Sequence, residues 1–319
     1  MDYKSFGLLI MMLRREFRND FDQVMTQQEL ASIANVSVVT LQKMEQGRMA
    51  RMDPDAVLNI AKALNLPVQA RQELLSVSQG LTDSDYIKHP SETADVFPAL
   101  VESMTNLQTP AFIADTYGDV LACGQAFLEL TGLPVKKMNE LPLYSRHNLI
   151  RWLCAPEFNQ RTLLGHGYSQ YIHQVVMMYK LNSLSVRSTP YFQHILPELN
   201  RLPLFRKEWQ APFIQQDEPM KMMLPVSVEH PEHGVMNFMC MPHATFAGQG
   251  TLYLVNFVAM DGRTGKACQK LVERVGNQAV YLSPWPKPVM GWDGPVDLPS
   301  GQASRVSMYP PAVNVMASD

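Results

Sequence analysis

TQQELASIANVSVVTLQKMEQGR, residues 26–48, holds two short helical patterns on either side of a tight turn. Leu30, Ala31, Ile33, Ala34, Val36, Leu41 and Met44 fall where such a helix pair faces inward, with polar residues between them. Thr26 stands at an N-cap and Glu29 follows three residues later, the spacing of a capping box. Asn35 occupies the turn, where asparagine tolerates a left-handed backbone better than other side chains do. Ser37 then caps the second helix, whose exposed face would enter a DNA major groove.

Working outward, Leu8–Phe17, Gln27–Ala34, Val38–Gln46, Pro54–Leu64 and Val68–Val77 each carry apolar residues at helical spacing. Asp53 is a further N-cap and Gly47 a helix stop, so residues 1–79 read as an all-α helix-turn-helix domain. The chain has a formal net charge of −3, and its first 79 residues hold nine Lys or Arg against nine Asp or Glu. DNA binding therefore needs a local basic face, expected from Arg14, Arg15, Arg18, Lys43, Arg48 and Arg51. The competing reading of the pattern is an amphipathic helix pair used for protein contacts.

T-Q-x-E-L-A, then V-S-x-x-T-L and E-x-G, resembles the XRE, or lambda-repressor-like, helix-turn-helix family over residues 5–78. Asn35 departs from the family's frequent glycine. The resemblance implies that Val38, Val39 and Lys43 face base edges, with Ser37, Thr40 and Gln42 beside them. Lys43 would donate to guanine and the valine methyls would pack on thymine methyls. Gln27, Gln46 and Arg48 would hold phosphates, which position the domain without specifying sequence. A homodimer reading two half-sites on double-stranded DNA is the expected assembly.

Residues 80–95, GLTDSDYIKHPSETAD, read as a hinge or linker. From 96 to 275 the pattern turns to mixed α and β. Ala111–Asp115 and Val120–Cys123 flank Tyr117-Gly118-Asp119 as a hairpin, and helical patterns follow at Gln170–Leu184 and Thr189–Leu199. Met222–Val228, Val235–Met241 and Leu252–Ala259 read as three more strands, which predicts a five-stranded antiparallel sheet with helices on one face. Residues 276–319 are rich in Pro and Gly and read as an extended or disordered tail.

PAFIADxxGDVLA (110–122), NLIRWL (148–153), TPYFQHILPEL (189–199) and LFRKEW (204–209) resemble the ligand-binding domain of MmyB-like regulators. That resemblance implies an α+β, PAS-like fold and an apolar ligand such as a fatty acid. Cys123-Gly124-Gln125 departs from the family's usual aromatic residue and Asn. The chain has 21 Met, among them Met177, Met178, Met220, Met222, Met223, Met236, Met239 and Met241. Methionines suit an adaptable apolar pocket, and equally they fill an ordinary core. Alternation along Val235–Met241 places Met236 and Phe238 on one face, Asn237 and Met239 on the other. Phe112, Met177, Tyr191, Phe192, Met223, Phe238 and Tyr253 are the expected ligand-lining residues, with Arg151, Arg187 or Arg206 to meet a carboxylate head group.

No GxSxG, HExxH or dinucleotide-type GxGxxG motif occurs, so no enzyme is expected. Gly262-Arg263-Thr264-Gly265-Lys266 lacks the earlier glycine and the Ser or Thr of a phosphate loop and reads as a solvated turn. Cys123, Cys154, Cys240 and Cys268 are far apart, without the spacing of a disulfide framework or a zinc site. The first apolar run is too short for a membrane span and lacks a cleavage site, so a cytoplasmic protein with reduced thiols is expected. His230 and His233 read as surface histidines of a hairpin turn rather than metal ligands. Two readings of the second domain compete with the apolar sensor. One is a domain that only dimerises or contacts protein. The other is a haem sensor with His166, His173 or His194 as an axial ligand. An enzyme of unrecognised type would instead show convergent polar groups in a cleft.

Overall fold

A computed structural model describes residues 2–17, 23–49, 51–79, 96–134, 138, 146–158, 160–213, 223–247 and 250–285. The expected hinge at 80–95, Arg18, Met220, Met222 and the tail from 286 lie outside them.

In the N-terminal part α1 (Tyr3–Glu16) precedes α2 (Gln27–Ile33) and α3 (Val38–Glu45), and α4 (Pro54–Ala63) and α5 (Val68–Ser78) follow. The starts of α2, α3 and α4 are capped by the residues the sequence predicts, whereas Pro67 before α5 makes no side-chain cap bond. Thr26 and Glu29 form both halves of the capping box, Ser37 accepts from the Thr40 amide, and Asp53 accepts from the Asp55 amide. Such caps are each worth about 1 kcal/mol. Asn35 takes φ +52°, the left-handed conformation the turn between α2 and α3 requires. Leu9, Ile10, Leu30, Leu41, Met44 and Ile60 are fully buried at the centre. Gly7 lets α1 touch α3, because a Cβ there would stand 2.3 Å from the Met44 carbonyl oxygen.

The second part begins with α6 (Val96–Thr105), the strands β1 (Ala111–Asp115) and β2 (Val120–Gly124), and α7 (Gln125–Thr131). Further helices are α8 (Leu149–Cys154), α9 (Gln160–Leu164), α10 (Tyr168–Asn182), α11 (Pro190–Asn200) and α12 (Pro203–Gln210). Then come β3 (Leu224–His230), β4 (Gly234–Ala247), β5 (Gly250–Ala259), α13 (Gly262–Val275) and β6 (Ala279–Tyr281). The strands form one antiparallel sheet in the order β3-β4-β5-β1-β2-β6.

The sheet has six strands, not the five expected. The sixth lies past residue 275, in what reads as tail, and pairs Ala122 with Tyr281 and Gly124 with Ala279. Three residues are too few to show a period of two, and the neighbouring prolines hide them further. Helices also cover both faces rather than one. Phe112 and Ala114 of β1 face the core shared with α7, α8 and α10, while Ala111 and Ile113 pack with Phe97, Val101 and Met104 of α6. All five residues of β1 are consequently buried. Gly262–Lys266 opens α13, with Asp261 capping the Thr264 amide, instead of forming a free turn.

The two parts are docked within one compact unit, Met1–Pro286. Leu181, near the end of α10, and Leu184, just after it, are buried in the hydrophobic cluster of the N-terminal helices. Phe213 packs against the same cluster.

Candidate DNA-reading face and ligand-domain interior

The two faces of α3 divide sharply. Leu41 and Met44 are 0% exposed, whereas Val39 is 58% exposed. Val39, Lys43 and Gln46 follow at i, i+4 and i+7, so they share the outward stripe. Lys43, Gln46 and Arg48 are exposed. Val38 is half-buried and packs against the domain core, which leaves only part of its side chain outward. Ser37 is engaged as the cap, its Oγ accepting from the Thr40 amide at 2.9 Å and lying 2.7 Å from Thr40 Oγ1. Ile33, at the end of α2, is exposed rather than inward as its spacing predicts. Its helical spacing fits either side of the apolar stripe, so periodicity alone does not separate the two.

Behind this face lies a chain of polar contacts. Arg14 of α1 donates to both Glu45 oxygens, at 2.7 and 3.0 Å, and to the Met25 carbonyl at 2.8 Å. Gln27 Nε2 donates to Glu45 Oε2 at 2.7 Å, and Gln42 Nε2 reaches Gln27 Oε1 at 3.5 Å. Arg14 is therefore buried and does not join the expected basic face, because its guanidinium is consumed by the interior carboxylate of Glu45. Arg15 and Arg51 are exposed.

In the second domain, Phe112, Phe127, Phe238 and Phe257 gather on the sheet face covered by α7 to α12. Phe112 lies 5.0 Å from Phe127 and 6.3 Å from Phe257, and Phe238 lies 5.7 Å from Phe257 between ring centroids. The register pairs Tyr253 with Ala114, which puts Tyr253 on this face as well. Phe192 is fully buried against Tyr179 and Trp209, 6.1 and 6.4 Å away. Phe112, Phe192, Phe238 and Tyr253 thus share one side of the sheet, while two other expected lining residues do not. Met177 is buried on α10, one turn before Leu181, but stands outside the cluster that holds Phe112, Phe192 and Phe238. Met223 precedes β3 and is 52% exposed. Alternation along β4 holds, with Met236 and Phe238 buried and Asn237 and Met239 half-buried.

Tyr191 is held by a polar group at the β1–β2 hairpin. Its hydroxyl donates to Asp119 Oδ2, and its ring stands edge-on to Tyr117 at 4.9 Å. Asp119 Oδ1 also accepts from Asn148 Nδ2 at 3.0 Å, and Asp115 Oδ1 accepts from the Tyr117 and Asp119 amides. Burial, and then the charge of Asp119, push the Tyr179 and Tyr191 hydroxyls well above the ordinary tyrosine range. Gly118 makes the hairpin possible, with φ +76° and the Tyr179 ring 3.0 Å from where its Cβ would be.

A cleft of about 490 Å³ opens between α10 and the β3–β4 edge of the sheet. Tyr171, Gln174, Val226, Ser227 and Met260 are among its walls. None of the seven expected ligand-lining residues borders it. Gln170, Tyr171 and Gln174 lie at i, i+1 and i+4 of α10, a spacing visible in the sequence, but nothing there tells that β3 stands opposite. The Tyr171 hydroxyl, 3.8 Å from Cys240 Sγ, is raised well above its usual pKa by burial.

The candidate head-group arginines separate. Arg187 is fully buried and bonded to Glu16 at 2.8 Å, Arg151 lies 3.7 Å from Glu157, and Arg206 is exposed. His166 and His194 are exposed, and His173 Nδ1 is paired with Glu208 at 2.6 Å. His230, by contrast with the surface position expected, is 6% exposed and stacked on His233 at 4.8 Å. Burial lowers its pKa.

Residues 96–271 match the family model of the MmyB-like transcription regulator ligand binding domain, and residues 15–70 match a helix-turn-helix model. No curated protein matches the chain significantly. Among the described residues no helix is long and apolar enough to cross a membrane.

Proposed function

The chain belongs to the MmyB-like transcription regulators, and from that premise we propose that it binds an operator as a homodimer and answers to an apolar small molecule of the fatty-acid kind. Its domains are those of a DNA-binding regulator with a ligand-binding domain. The observation that carries the DNA half is the exposure of Val39, Lys43 and Gln46 on a helix whose opposite side is sealed in the core. An exposed valine flanked by an ammonium and a carboxamide suits thymine methyls and base edges in a major groove. Thr40 and Gln42 stand beside this stripe, and Gln27 and Arg48 stand where phosphates would pass.

For the ligand half, the supporting features are the PAS-like layering of helices over an antiparallel sheet and the aromatic face built by Phe112, Phe127, Phe238 and Phe257. The cleft beside α10 has a volume within the range of small-molecule sites, roughly 300–1,000 Å³. Its walls mix apolar Val226 and Met260 with polar Gln174 and Ser227, which suits a ligand with one apolar and one hydrogen-bonding end.

A second reading has its own support. Phe112, Phe127 and Phe257 pack on one another and Phe238 packs on Phe257, so that part of the interior is filled by side chains, as in a domain that serves only for dimerisation or protein contact. Mass spectrometry of an organic extract of the purified protein, after a visible spectrum, separates the two. A stoichiometric lipid supports the sensor. An extract with no lipid, together with no thermal stabilisation by medium-chain fatty acids, favours the second reading, and a Soret band would turn the case to haem.

A further inference from the structure

The two domains meet at a buried ion pair. Arg187 lies just after α10, is fully buried, and donates to Glu16 Oε2 at 2.8 Å and to the Lys180 carbonyl at 2.6 Å. Its guanidinium lies 4.8 Å from the centre of the Trp209 ring. Glu16 is the last residue of α1 and its side chain is 19% exposed. Lys180 completes the joint, giving its ammonium protons to the Trp209 and Ala211 carbonyls at 2.9 and 3.0 Å.

Glu16 stands two residues after Arg14 on the same helix. From Arg14 the contacts run to Glu45, from Glu45 to Gln27, and from Gln27 to Gln42 on the helix proposed to read DNA. In the other direction α10 leads from the joint back to the cleft. Tyr171 borders the cleft and Leu181 lies in the N-terminal core, ten helical residues or about 15 Å away. A charge that is wholly buried and paired across a domain boundary has few alternative positions, so the two domains move together or the pair breaks.

We propose that Arg187 is a positioning residue for DNA reading: through Glu16 it holds α1, and α1 in turn sets Arg14, Glu45 and the two glutamines beside the recognition helix. The proposal rests on α3 being the DNA reader, as argued above. It places the coupling between the domains in a packed ionic joint.

The test uses the full chain and an operator duplex selected from random double-stranded DNA. In the wild type, operator binding should slow hydrogen exchange in the 180–187 segment, which belongs to the ligand domain, because coupling between two sites is reciprocal. Glu16→Gln should abolish that response and weaken operator binding by about fivefold or more. Glu16→Asp, which keeps the charge on a shorter arm, should lose less on both counts and serves where Glu16→Gln does not fold. A purely structural role would raise exchange throughout the chain and leave the DNA-induced difference at 180–187 intact. An exchange pattern at 180–187 untouched by DNA in the wild type, or operator affinity within twofold in a folded variant, overturns the proposal. Failure of the wild type to select any DNA would instead remove the premise that α3 reads DNA, and this inference with it.

Discussion

Arg14 and Glu45 meet through two parallel hydrogen bonds of 2.7 and 3.0 Å, tying α1 to the last residue of α3. Both side chains are nearly sealed, at 10% and 3% exposed. Glu45→Gln should therefore leave a buried guanidinium short of its counter-charge and cost about 3–5 kcal/mol, read as a lower denaturant midpoint at unchanged slope. A loss below 1 kcal/mol would mean that water reaches the pair in solution.

Gly7→Ala tests the close approach of α1 and α3 without touching charge. The added methyl would meet backbone oxygens of Met44 and Glu45 at 2.3 and 2.8 Å, and backbone cannot step aside as a side chain can. The helices must separate, at a cost of about 1–3 kcal/mol. Gly262→Ala, with open space around the new methyl, is the matched control and should be near neutral.

On DNA, Lys43→Ala and Arg48→Ala should fail differently. Loss of a base contact from Lys43 weakens binding by about 1–3 kcal/mol and relaxes preference at one base pair. Loss of a phosphate contact from Arg48 weakens all sequences alike and lowers the slope of log K against log salt by about one. Fluorescence titrations at several salt concentrations, with matched and mismatched duplexes, distinguish the two. Unchanged binding by Lys43→Ala would remove that residue from the reading face.

Burial lowers the Lys180 pKa from 10.5 to about 8. Between those values the unfolded chain binds the proton that the folded one has released. This group's contribution to stability therefore rises with pH from about 8 to 10.5, and below pH 8 it is a constant penalty. The difference in stability between wild type and Lys180→Met should follow that rise. A difference flat across the window would show that Lys180 titrates as a solvated lysine. Taking the difference is essential, since the buried thiols and tyrosines oppose the trend.

Burial pushes the thiols of Cys123, Cys154 and Cys240 up to about 12 and that of Cys268 to about 11. The thiolate is the reactive form, so native protein at pH 8 should react with a disulfide reagent far more slowly than free cysteine. Unfolding should release all four at once. A fast-reacting thiol in the folded protein would show that its part of the core opens.

What could be read from the chain were features set by neighbours in sequence. The Thr26–Glu29 box, the left-handed Asn35, the Ser37 cap and the alternation along Val235–Met241 all depend on spacings of a few residues. The family resemblance set Val38, Val39 and Lys43 outward, and of these Val39 and Lys43 are exposed while Val38 is half-buried. Strand β6 escaped because three residues carry no period, and the cover of α6 over the second sheet face escaped because periodicity tells which side is apolar but not what meets it. Arg14 and Arg187 were beyond reach for a related reason. Both were counted as cations for a phosphate or a carboxylate ligand, and each is instead closed by a glutamate brought to it from another element, 31 residues away in one case and 171 in the other. The character of a charge is local, but its partner is chosen by packing across the whole chain, and here that packing paired Arg14 with Glu45 and Arg187 with Glu16.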